Sequence, residues 1–258
     1  MRTLWNLRVA AIVVAAGTLP LAAQADDYRW EVGGNYDRFS ADGYHVDTWG
    51  LSGTYYFRDV RTELLPLQEA AYLGRENSAS LASSRFDSPF GDLDQWRLSG
   101  ELYVPSAWLY FSAGLTGSDT LGVIVNGNNV SVERGHDNAW DATIGITPFD
   151  GLRLSTSFQQ HTDYEPNLDV KYVGKLGNDH WYGFGVNLVD PDQGDFSYAA
   201  SADYFIDRSL RVGGELGEHH WGVSADKFFG EKLSVGLRYR ELDDADAEML
   251  SLRAAWRF

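Results

Sequence analysis

Leu250-Ser251-Leu252-Arg253-Ala254-Ala255-Trp256-Arg257-Phe258 alternates strictly: Leu252, Ala254, Trp256 and Phe258 fall on one side of an extended backbone, and Ser251, Arg253, Ala255 and Arg257 on the other. Successive side chains of a strand point to opposite faces, so this is a β-strand with one apolar and one polar face. A soluble sandwich buries such a face too. Here, however, the pattern recurs along the whole chain, with the apolar face rich in Trp, Tyr, Phe, Leu and Gly. Repeated that often, it describes a barrel that is greasy outside and wet inside.

The amino-terminus bears on the compartment. Arg2 and Arg8 supply a positive region, Val9 to Gly17 an apolar run, and Ala23-Gln24-Ala25 a small-x-small cleavage site. Residues 1–25 therefore read as a signal peptide and residues 26–258 as a single barrel. No later stretch approaches the roughly 18 apolar residues of a membrane helix, which leaves a soluble periplasmic protein or a protein that crosses the outer membrane as strands. There is no cysteine, which excludes a disulfide scaffold. With 37 acidic against 21 basic residues the net charge is −16. That sign makes nucleic acid an improbable partner, since binding it rests on Lys and Arg neutralising phosphates. The acid concentrates where loops are expected, at Asp190, Asp192 and Asp195 and at Asp243, Asp244, Asp246 and Glu248, as hydrated loop tips.

Period-two runs broken by turn residues give about fourteen strands, with twelve or sixteen as alternatives. The first lies near Tyr28–Phe39, with Tyr28, Trp30, Val32, Gly34 and Tyr36 on one face and Arg29, Glu31, Asn35 and Asp37 on the other. The second lies near His45–Phe57. Asn77–Arg85 is a weak third, Gln95–Val104 a clear fourth, and Ala107–Gly117 a fifth. The second half is cleaner, its strands separated by turns at Pro148–Gly151, Gly177–Asp179, Asp207-Arg208 and Gly230–Lys232. Each run of about nine to eleven residues is long enough to cross a hydrocarbon layer when tilted. The fold class expected is an all-β, transmembrane, up-and-down antiparallel β-barrel.

If both termini are periplasmic, these short turns all fall on that side, and the opposite connections are expected to be longer and more acidic. One connection breaks the rule, Arg58–Arg75, where Leu64, Leu67 and Ala71 sit at helical spacing; a short helix and an irregular loop are equally consistent with it. Val123-Ile124-Val125 and Val130-Ser131-Val132 flank Asn126-Gly127, a hairpin signal. The arms are too brief to span, so Thr120–Gly135 reads as a hairpin within an extracellular loop, free to stand outward or fold inward.

With this ladder, the terminal Phe258, and Pro66-Leu67-Gln68-Glu69-Ala70-Ala71-Tyr72-Leu73-Gly74-Arg75 after the second strand, the chain resembles the small outer-membrane porins of proteobacteria classed as putative general bacterial porins. The resemblance implies passive diffusion of small hydrophilic solutes, no catalytic residue and no cofactor. It also implies that Trp256 and Phe258 belong to the signal read by the barrel-assembly machinery. Outer-membrane lipid, lipopolysaccharide and small polar solutes are the further partners expected, and the assembly is a monomer or a homotrimer.

The polar face can be read independently of that likeness. It carries Arg29, Arg153, Lys171, Lys175, Arg211, Arg238, Arg240, Arg253 and Arg257, together with Glu31, Glu101, Asp141, Asp203, Glu215 and Asp226. Arg or Lys on a lipid-facing position costs roughly 2–4 kcal/mol at the midplane, which supports turning these residues inward. They are expected to line a pore that sorts solutes by size and sign, with a basic stripe on the last two strands. The competing reading is that neighbouring strands pair the charges and fill a plugged barrel. Outer-membrane enzymes are the rival class. Barrel phospholipases resemble a His-x-Ser arrangement and barrel proteases an Asp-x-His pairing; none of the six His residues has either neighbour. Glu218-His219-His220 is the nearest approach to a base or metal ligand, and Asp190-x-Asp192-x-Gly194-Asp195 lacks the spacing and terminal Glu of a calcium loop. Trp30, Trp49, Trp108, Trp181 and Trp221 read as an interfacial girdle rather than as sugar platforms. A barrel acting as adhesin or anchor is the third class.

Overall fold

The structure, a computed structural model, describes residues 27–41, 43–88, 91–126, 129–160, 164–177, 180–190, 196–243 and 247–258. The expected signal peptide and the acidic positions 192, 195, 244 and 246 lie outside these residues. The strands are β1 (Asp27–Ala41), β2 (Tyr44–Arg61), β3 (Ser78–Ser88), β4 (Gly91–Val104), β5 (Leu109–Asn126), β6 (Asn129–Ile146) and β7 (Leu152–Gln159). They continue as β8 (Asn167–Leu176), β9 (His180–Val189), β10 (Ser197–Asp207), β11 (Leu210–Gly217), β12 (His220–Phe229), β13 (Leu233–Leu242) and β14 (Ala247–Arg257). Among the described residues these fourteen form one closed barrel, each strand paired with its chain neighbours and β14 with β1. Closure leaves no strand edge unpaired, as a hydrocarbon surround demands.

Register confirms the alternation. The terminal strand pairs Glu31 with Arg257, Val32 with Trp256 and Tyr36 with Leu252 on β1. Leu51, Leu98, Leu115, Ile144, Phe184, Val223, Leu237 and Leu252 are all exposed on the outer face, a band of apolar side chains suited to lipid. The weak third strand is a full ladder partner of β2 and β4 despite its small residues, because the flanking strands supply the pairing.

Three local expectations change. The difference between the two barrel ends lies less in loop length than in strand overrun. β1 and β2 are joined by residues 42–43, and β11 and β12 by 218–219. By contrast, β5 and β6 run 18 residues each where crossing takes about nine to eleven. Their pairing continues unbroken to Asn126 and Asn129, so the hairpin at Thr120–Gly135 is an extension of β5 and β6 beyond the membrane layer, and the strand count stays at fourteen. A bulge interrupts β1 and β2 between Tyr28 and Trp30, turning Tyr28 inward into a small core with Val60 and Ala70. It also moves Arg29 to an exposed position, where its Nε donates to Asp59 Oδ1 at 2.5 Å.

The connection from β2 to β3 resolves as a 3-10 turn, Leu67–Glu69, running into one α-helical turn, Ala70–Leu73. Leu64 and Arg75 flank it in the left-handed region, at φ 59° and 52°. For non-glycine residues that conformation costs roughly 1–2 kcal/mol each, and the contacts described below hold it.

Candidate functional site

Residues 62–76 leave β2 and touch the far wall. Leu67 N donates to Arg208 O, in the turn between β10 and β11, at 2.8 Å. The Arg208 guanidinium answers with bonds to the carbonyls of Thr62 (2.5 Å) and Leu65 (3.2 Å). On β14, Arg257 Nη1 donates to Leu67 O at 2.8 Å. On β8, Lys171 Nζ donates to Glu69 Oε2 at 2.6 Å, and the Tyr72 hydroxyl lies 2.9 and 3.0 Å from the Gly151 and Lys171 carbonyl oxygens that accept from it. Arg75 reaches Thr147 O beside the β6–β7 turn. A segment that starts on β2 and meets β8, β14 and two distant turns has to cross the barrel opening. The face it meets is therefore the inner one.

The inner face at this end is aromatic rather than polar. Tyr28, Tyr103, Tyr110, Val173, Phe205 and Phe228 are all at most 5% exposed and make a collar around the crossing segment. Cations sit on these rings. Arg153 stacks 4.6 Å from the Tyr110 centroid, Lys171 4.3 Å from that of Tyr72, and Arg257 4.5 Å from both Tyr28 and Phe228. Such contacts strengthen as water is removed. Burial raises the Tyr72 phenol above its ordinary range, against the opposing charge of Arg153, so it stays a neutral donor. Burial likewise raises the Glu76 carboxyl, opposed by Arg58.

Following opposed residues around the sheet, with two-residue steps along a strand where needed, leads from Arg257 through Gly236, Asp226, Arg211, Asp203, Lys171, Arg153, Asp141, Glu101 and Glu31 without a change of face. The charges on it are mostly paired. Arg257 binds Glu31 at 2.5 Å. Arg211, only 10% exposed at its side chain, lies between Asp203 and Asp226. Arg240 forks onto Glu215 at 2.7 and 3.0 Å. Arg153 meets Asp169 at 3.3 Å. Asp141 is gripped bidentately by Arg97, at 2.6 and 2.8 Å. Glu101 stands between Ser78 and Ser112. Lys175 lies at the exposed lip, 6.0 Å from the Trp181 ring. Arg238 and Arg253 make no hydrogen bond or ion pair with any described residue, and Arg29 stays apart at the exposed end of β1.

Two of these pairs span a strand. Arg97 on β4 reaches Asp141 on β6 over Gly114 of β5, where a Cβ would fall 2.4 Å from Arg97 Nη2 and 2.7 Å from Asp141 Oδ1. Glu215 on β11 reaches Arg240 on β13 over Gly222 in the same way. Small residues on the inner face thus clear the path for long ones two strands apart. The sequence does not single out Arg97, although it shares the polar face of β4 with Gln95 and Glu101, because a pairing two strands wide leaves no mark in the sequence of either strand. Nor does it single out Glu69 and Tyr72, because a connection between strands has no alternating face.

Beside the crossing segment a cavity of about 230 Å³ remains, lined by Glu69, Arg153, Asp169, Lys171, Ser201 and Asp203 among others. His219 and Glu218 approach at 3.5 Å on the opposite end, and no cluster of His, Asp or Glu able to hold a metal occurs among the described residues.

The chain is similar to known proteins in sequence pattern and in fold. The family described as "Putative general bacterial porin" matches residues 1–258. The outer membrane protein Omp33 of Acinetobacter baumannii superposes with a TM-score of 0.72 at 22% identity, covering 91% of this chain and all of that one. The toluene transporter TodX of Pseudomonas putida gives 0.48 at 8% identity, covering 90% of this chain and 89% of its own. A Rh. blastica porin variant gives 0.42 at 8%, covering 89% and 99%. No curated protein matches.

Proposed function

The chain belongs to the family of general bacterial porins, and on that premise we propose that its lumen passes small hydrophilic solutes and ions by passive diffusion, through a path narrowed at one end by residues 62–76. A porin-type channel of the Gram-negative outer membrane is what the family supplies. The finer reading concerns the wall. The observation that carries it is the charged cavity left between Glu69 on the crossing segment and the strands β7 to β10. A plug meant to seal would pack that space with apolar side chains, as Tyr28 and Phe228 pack against Arg257. Here the lining includes facing charges as well, Arg153 and Lys171 against Glu69, Asp169 and Asp203, beside Val170, Tyr172, Val173 and Phe184; such charges order water and admit polar solutes.

In this reading Glu31, Glu101, Asp141, Arg153, Lys171, Arg211, Glu215, Arg238, Arg240 and Arg253 line the pore, and Arg29 and Lys175 stand at its exposed lip. The end bearing Asp27 and Phe258 faces the periplasm, after removal of residues 1–25. This reading involves no covalent chemistry. Planar-bilayer recording on the refolded protein tests the proposal. Discrete conductance steps of small amplitude are expected; their absence, or hydrolysis of phospholipid or peptide that is lost in His220→Ala, overturns it.

A further inference from the structure

Along β10 to β14 and β1 the inner face does not neutralise itself evenly. Asp203 and Asp226 are both taken by Arg211, Glu215 by Arg240, and Glu31 by Arg257. Asp226 leans its Oδ1 over Gly236 but holds Arg211 through Oδ2. Asp37, opposite Ser251, accepts from Asn35 Nδ2. Arg238 and Arg253 are left over.

Their directly opposed neighbours are neutral and small, and the charged groups that face Arg238 are Arg253, Arg240, Arg211 and the Glu215 carboxylate, already held by Arg240. Arg238 is flanked across the sheet by Ser224 and Ser251, and Arg253 by Gly236 and Asn35. Because Ser251 opposes Arg238 and Arg253 opposes Gly236, the two arginines are diagonal neighbours on adjacent strands, about 7–8 Å apart at the backbone and within reach of one ligand for side chains of this length. Both lie near mid-strand, Arg253 on the same strand and face as Arg257, which binds the crossing segment. A solute entering from the open end meets them before the narrow cavity.

Two unpaired guanidinium groups on a common face present planar forks of donors with no acceptor of their own. We infer that Arg238 and Arg253 form an anion-binding station in the channel, which takes the oxyanion group, carboxylate or phosphate, of a small solute. The inference rests on the channel reading. It runs against the net charge of −16, because that charge is counted over the whole chain while a permeating ion meets only the wall.

The full barrel, in a planar bilayer under a KCl gradient, is expected to show a reversal potential of anion-preferring sign. Succinate and inorganic phosphate supply the two oxyanion arms and glucose the neutral control. Added to the open end, an oxyanion should block the chloride current and glucose should not; whichever oxyanion blocks more strongly identifies the class. Arg238→Ala with Arg253→Ala should weaken block about tenfold or more, since charge-assisted hydrogen bonds are removed, and should lower anion preference several-fold. The double Lys variant keeps the charge and loses the forks, so it should retain selectivity and lose much of the block. Heat-modifiable mobility checks that each variant is folded. Cation preference in the natural protein, or selectivity and block indifferent to the Ala pair, overturns this inference and leaves the channel reading standing. Absence of any conductance removes both.

Discussion

At the scale of single residues, the interior is organised by where side chains are missing. Gly114 and Gly151 make the contrast. A Cβ on Gly114 meets the mobile end of Arg97 and the Asp141 carboxylate, both of which can shift. A Cβ on Gly151 meets the Val173 carbonyl oxygen at 2.0 Å, and its φ of +79° is one that other residues adopt only with strain. Gly151 O also receives Val173 N at 2.8 Å, tying the β6–β7 turn to β8. Gly114→Ala is therefore expected to cost about 1 kcal/mol, the range of modest overpacking, and Gly151→Ala more than about 3 kcal/mol, because backbone clash and left-handed strain add. Urea midpoints of the detergent-folded barrel read both, and equal effects would contradict the assignment. The same scale explains Arg29. It has the alternation of a wall residue, but the bulge beside Tyr28 carries it to the exposed Asp59 instead.

At the scale of elements, the crossing segment is the part least like an ordinary barrel turn. It is held by a few polar contacts to four separate parts of the wall and by one small apolar core. Elements with few buried contacts open at lower free energy than the barrel around them. Replacing residues 63–75 with a short Gly-Ser turn should leave the strand ladder intact and raise single-channel conductance several-fold. Tyr72→Phe, which removes only the hydroxyl shared between Gly151 and Lys171, should give the natural conductance with more frequent opening noise. Unchanged current in the shortened protein would show that the narrowest point lies elsewhere, for instance among the arginines of β11 to β14.

At the scale of the whole molecule, stability depends on closure. Phe258 donates from its backbone N to Trp30 O, its carbonyl accepts from Arg29 and Trp30, and its ring stacks 6.5 Å from Trp30. Deleting Phe258 alone should lower the heat-modifiable, folded fraction in the outer membrane, since the loss falls on the seam that joins first strand to last. Much of this architecture was legible in advance. Period-two alternation in Leu250–Phe258 and its counterparts states which side chains point together, and turn residues state where the chain reverses; both are local, so the sequence alone predicts about fourteen strands and their two faces. What it left open was every relation between strands not adjacent in the chain. The reach of Arg97 over Gly114, the commitment of Arg211 to two aspartates, the passage of Glu69 and Tyr72 across the opening to β8, and the consequent isolation of Arg238 and Arg253 depend on closing the sheet into a ring. Alternation assigns a charge to a face; only the closed barrel decides which opposite charge lies within reach.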